Sequence, residues 1–129
     1  MKRPAWIGRE ECLAIHEMML AQYGGLGGLR DPGLLESALS KPQARFAYAS
    51  STPAELAASY AAGIILNRPF RDGNKRTGFM VAAVFLEVNG YVFAAAEESV
   101  VEKTLALAAG KLKEKDYAAW LKANSGKRR

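Results

Sequence analysis

The stretch from Asn67 to Thr77 reads Asn-Arg-Pro-Phe-Arg-Asp-Gly-Asn-Lys-Arg-Thr and gathers most of the residues able to do chemistry. Apolar, alanine-rich segments flank it, Leu56 to Leu66 before and Gly78 to Val88 after, each of helical length and without internal proline. Pro69 bars continuation of the first helix and Gly73 relaxes the turn into the second, so the polar stretch reads as a loop between two helices. A helix that starts after Gly73 leaves the N–H groups of Asn74, Lys75 and Arg76 without intrahelical acceptors, at the positive end of the dipole and beside two cations. Phosphate is the usual anion for such a site. Asp72 would contact phosphate poorly but is a sensible Mg²⁺ ligand if the phosphate arrives with its metal. Each of these residues alone is most often surface decoration on a solvated connection; their order at a helix start favours the phosphate site. A Walker-type loop is excluded, because no Gly-Lys-Thr tripeptide is present.

These residues are similar to the core motif of the Fic/Doc superfamily, in particular its Doc (death-on-curing) toxin branch. That motif runs His-Pro-Phe, a variable residue, an acid, Gly or Ala, then Asn-Lys-Arg; here it reads Arg68-Pro69-Phe70-Arg71-Asp72-Gly73-Asn74-Lys75-Arg76. The upstream run Leu29-Arg30-Asp31-Pro32-Gly33-Leu34-Leu35-Glu36-Ser37-Ala38 resembles a second segment of such toxins, so the resemblance extends over most of the chain. It implies a phosphoryl transfer from ATP·Mg²⁺ to a threonine of elongation factor Tu, arresting translation, and a Phd-like antitoxin partner whose disordered segment folds as a helix in a groove. By position, Asp72 would hold the metal, Gly73, Asn74, Lys75 and Arg76 would bind phosphates, and Phe70 would pack inward to shape the loop. AMP-transferring Fic proteins carry glycine where Lys75 stands, which favours phosphorylation over AMP transfer.

Arg68 occupies the place of the family's general-base histidine. A guanidinium has five donors and no acceptor and keeps its charge at physiological pH, so it cannot take a proton from the incoming hydroxyl. Losing a general base typically costs about 10²–10⁴-fold in rate. The expected protein is therefore an impaired enzyme, silenced by an introduced substitution, with a natural non-catalytic binding module as the alternative.

The remaining chain reads as a single domain over residues 1–129, an almost all-α bundle. Arg9 to Tyr23 forms a first helix with Cys12, Ile15, Met19 and Tyr23 on one face, and His16, the only histidine, lies beside that stripe as a packed or surface residue. Gly24-Gly25-Leu26-Gly27-Gly28 reads as a flexible connection, since no strand precedes it. Asp31 caps a short helix with Pro32 at its first position and Leu34, Leu35, Ala38 and Leu39 on its buried face. Between Lys41 and Ser51 the pattern weakens to an irregular segment, where the resemblance implies a target-docking flap. Thr52-Pro53-Ala54-Glu55 is a strong start signal for the helix bearing Leu56, Tyr60 and Ile64. The helix after the loop is apolar nearly all round and is expected at the buried centre. Gly90 stops it, Tyr91-Val92-Phe93 is a β-like run too short for a sheet of its own, and a further helix repeats Val101, Leu105, Ala108 and Leu112. Tyr117, Trp120 and Leu121 anchor a last helix, and residues 124–129 read as a frayed basic tail.

Half of the residues are hydrophobic and the formal charge is +5, compatible with nucleotide or an acidic protein as partner. No aromatic-basic platform points to nucleic acid. The lone Cys12 excludes an internal disulfide and fits a reducing cytoplasm, and no apolar run approaches the ~20 residues of a membrane helix.

Overall fold

A computed structural model of the chain describes residues 3–128. Six helices, α1 (Arg9–Tyr23), α2 (Pro32–Tyr48), α3 (Pro53–Asn67), α4 (Asn74–Val88), α5 (Glu97–Ala108) and α6 (Glu114–Ala123), are joined by two short strands, β1 (Tyr91–Phe93) and β2 (Ser125–Lys127). The fold is mainly α, as the periodicities predict. Among the described residues no helix is long and apolar enough to cross a membrane.

The start signal before α3 is a full capping box. Glu55 N–H donates to Thr52 Oγ1 (3.2 Å), Thr52 N–H donates to Glu55 Oε1 (2.7 Å), and Pro53 takes the first helical position. Every residue of α3 from Leu56 to Ile65 is buried, because its alanines let α2, α4 and α6 approach from several sides. The enclosed centre is thus the helix before the loop. The helix after it, α4, buries one side through Val81, Ala82, Phe85 and Leu86 and leaves Phe79 and Met80 half-buried. The two helices meet closely at Gly78, where a Cβ would lie 2.6 Å from a side-chain carbon of Ile65. On α1, Cys12, Ile15 and Met19 are buried as expected, and burial pushes the Cys12 thiol up to about 12. Tyr60 ties the entry segment to the core, its hydroxyl accepting from Ile7 N–H (2.9 Å) and donating to Ile7 O (3.2 Å).

Further sequence expectations change. The helix begun at Asp31, where Leu34 N–H donates to the aspartate (3.1 Å), does not stop near Leu39 but runs to Tyr48 through Pro42. Tertiary contacts override the proline: Lys41 and Arg45 reach Glu114, Arg45 also reaches Glu55, and Phe46 meets Trp6 edge-on. The region 41–51 is therefore mostly helix, irregular only from Ala49 onward. On α5 the buried residues are Thr104 and Leu107, whereas Val101 and Leu105 are half exposed at 51% each. Their apolar stripe lines a cleft instead of the core. The tail is not frayed over 125–127: β2 pairs antiparallel with β1 in the register Tyr91↔Lys127, Val92↔Gly126 and Phe93↔Ser125, giving the short run its partner. Arg129 lies outside the described residues.

Candidate active site

The loop is built where α3 ends. Arg68 N–H donates to Ile64 O (3.0 Å) and the residue turns left-handed, with φ 52° and ψ 57°. It is the one non-glycine residue with positive φ among the described residues. Pro69 enforces the stop, since the residue before proline is kept out of the helical region. Phe70 drops into the core at 1% exposure. Gly73 follows, left-handed at φ 78°, and starts α4. The first intrahelical bond runs from Thr77 N–H to Gly73 O (3.0 Å), so the N–H groups of Asn74, Lys75 and Arg76 remain spare.

Three braces fix this loop. Asn74 is buried, its side chain accepting from Phe70 N–H (3.0 Å) and donating to Phe70 O (3.0 Å). What Asn74 offers an anion is thus its backbone N–H, its side chain being committed. His16 is the second brace: it is packed, not at the surface, and the fold brings it to the loop. Its ring stacks on Phe70 at 3.8 Å and its Nε2 donates to Asp72 O (2.8 Å). A carbonyl only accepts, so Nε2 carries the proton and the imidazole serves as a prop in this arrangement. Its i, i+4 spacing from Cys12 signals burial on α1 but not the partner it meets there.

The third brace is residues 26–31, the end of the connection read as flexible together with the residues that lead into α2. Pro69 O accepts from Arg30 N–H (2.7 Å) and Asp31 N–H (3.0 Å), Arg71 N–H donates to Gly28 O (3.1 Å), and Leu29 bridges Phe70. The Arg30 guanidinium adds bonds to Arg68 O (2.8 Å) and Asn67 O (2.8 Å). Asp72 takes Leu26 N–H at 3.3 Å and Gly73 N–H at 3.0 Å. Gly28 and Leu26 dock on the loop through partners more than forty residues along the chain, which local composition does not disclose.

The loop opens on a cleft of about 780 Å³. Arg68, Arg71, Asp72, Lys75 and Arg76 line one part; Phe79, Met80, Phe93, Val101 and Leu105 line the other. None of the four cations has an ion-pair partner among the described residues, and Arg76 rests over the Tyr23 ring at 4.2 Å. Tyr23, placed by sequence on the buried stripe of α1, is instead 48% exposed and supports this cation. Unpaired cations, spare N–H groups and one exposed carboxylate suit a polyanion carrying a divalent metal. No group of three or more metal-capable side chains exists among the described residues. A metal would be held by Asp72 together with the anion's own oxygens, which fits Mg²⁺ and its preference for few protein ligands.

Comparison with known proteins finds similar sequences. A sequence profile of the Fic/DOC family matches residues 6–86. The chain is 40% identical over 85 residues to "Protein kinase doc" of Escherichia phage P1, covering 65% of this chain and 68% of that one. It is 34% identical over 92 residues to "Toxin Doc" of Mycolicibacterium smegmatis, covering 70% of this chain and 68% of the relative.

Proposed function

We propose, from the premise that the chain belongs to the Fic/DOC family, that it is a Doc-type toxin built to transfer the terminal phosphoryl of ATP to a threonine of elongation factor Tu, with that step suppressed by Arg68. The observation that carries this reading is the braced loop itself, with three spare N–H groups, an exposed carboxylate and four unpaired cations on one cleft. Lys75, Arg76 and the N–H groups at the start of α4 bind the phosphates, Gly73 lets the backbone approach, and Asp72 holds Mg²⁺. The metal, when bound, neutralises charge on the phosphate oxygens. Phe70, Asn74 and His16 hold these groups in place, so they need no reorganisation when the substrate arrives.

In the reaction the threonine oxygen bonds to the γ-phosphorus, the bond to the bridging oxygen breaks, and ADP departs. The hydroxyl proton must go to a base beside the oxygen, and Arg68 has no lone pair to receive it. The half-exposed Met80, Val101 and Leu105 side of the cleft supports the remaining role, a groove for a helix of a Phd-like antitoxin, which loss of the base would leave intact.

The test compares the protein with its Arg68→His variant, using elongation factor Tu and ATP labelled at the α or γ phosphate. The variant is expected to transfer γ label at least about 100-fold faster than the parent. Transfer of α label would assign the AMP-transferring chemistry instead. No label from either protein would overturn this target and leave the binding-module reading.

A further inference from the structure

We propose that Arg30 is a positioning residue for the side chain at position 68. Its guanidinium holds the two carbonyls on which α3 ends and thereby fixes residue 68 in its left-handed conformation. Arg30 Nε donates to Arg68 O and a terminal nitrogen donates to Asn67 O, both at 2.8 Å. Neither carbonyl has another hydrogen-bond partner among the contacts outside the helix ladders. The left-handed region is unfavourable for a residue with a Cβ, and Pro69 closes the right-handed alternative, leaving extended backbone as the competitor. A switch to extended backbone would turn the side chain of residue 68 away from the direction in which it now lines the cleft. The fork opposes that switch, because the two carbonyls stay adjacent and parallel only while residue 68 remains left-handed.

The simpler alternative is that Arg30 merely caps a helix C-terminus, as basic residues often do. The two differ in what else should move. The phosphate side of the loop is held independently, by Asn74 on Phe70 and His16 on Asp72, so loss of the fork should disturb residue 68 and spare the anion site. The Arg30 backbone also keeps its own bond to Pro69 O and its neighbour's bridge to Phe70, so removing the side chain leaves the fold intact.

The kinetic part of the test rests on the kinase reading; the second part does not. In the Arg68→His background, Arg30→Ala should lower kcat for γ-phosphoryl transfer about 10–100-fold while KM for ATP changes less than about threefold. Arg30→Lys should fall between, because lysine supplies a point donor and no fork. In the parent protein, amide hydrogen exchange of Arg68 in Arg30→Ala should accelerate about tenfold, with Gly78 and Phe79 unchanged. A lowered melting temperature with kcat unaltered, or unchanged exchange at Arg68, would overturn the proposal. If Arg68→His transfers nothing, the kinase reading fails, and unchanged exchange at Arg68 still overturns the clamp.

Discussion

An asparagine amide offers two donors and an acceptor, and Asn74 places one of each on the backbone of a single residue, Phe70. Replacing it by alanine strands a buried N–H and a carbonyl at once. Asn74→Ala should therefore destabilise the fold by about 2–3 kcal/mol in urea titration. Asn74→Asp should cost a comparable amount, since it keeps the acceptor but sets a carboxylate oxygen against Phe70 O. Lys75→Ala, at an exposed position, should stay within about 0.5 kcal/mol of the parent. Equal stability of Asn74→Ala and Lys75→Ala would show that Asn74 does not brace the loop. The helix start and the motif position placed the Asn74 N–H at the anion site, but not the work of its side chain, whose partner Phe70 sits across a turn whose shape is set from elsewhere. His16 was hidden for the same reason: its bonded carbonyl is 56 positions away.

Elements were legible where their determinants are local. Thr52, Pro53 and Glu55 lie within four residues and specify the start of α3 without help from the rest of the chain. The extent of α2 and the facing of α5 depend on Glu114, Trp6 and the cleft, all outside the local stretch, and there the reading failed. The capping box also makes a pH prediction. The Thr52 N–H bond holds the Glu55 carboxyl below its ordinary value, and Arg45 adds to the effect. A carboxyl lowered by folding contributes stability that is complete above its unfolded value and is lost as pH falls through the folded one. Glu55→Gln keeps an acceptor but removes the charge, so its melting temperature should decline less steeply than the parent's below about pH 5. Superimposable profiles would refute this. Thr52→Ala should cost about 1 kcal/mol at neutral pH.

At the scale of the whole molecule, the end of the chain returns to the site. After α6, Ala94 N–H donates to Asn124 O (2.9 Å), β2 pairs with β1, and Arg128 N–H donates to Gly90 O (2.8 Å). This holds β1, and with it Phe93, which packs against Phe79 (5.6 Å) and Trp120 (5.3 Å) and forms part of the cleft wall. A basic, glycine-containing end reads as disordered because the strand it pairs with lies more than thirty residues upstream. The two descriptions separate experimentally through changes of opposite sign. Removing residues 125–129 deletes the partner of β1 and should cost about 1–3 kcal/mol, lowering the melting temperature by roughly 5–10 °C. Gly126→Val should do the reverse. A Cβ there meets no atom within 4 Å, and valine would face Val92 as a β-branched cross-strand pair, for a gain of about 0.5–1 kcal/mol. A frayed tail would respond to neither change. If both variants melt with the parent, the strand contributes nothing to the fold, and the cleft wall at Phe93 must be held by its aromatic neighbours alone.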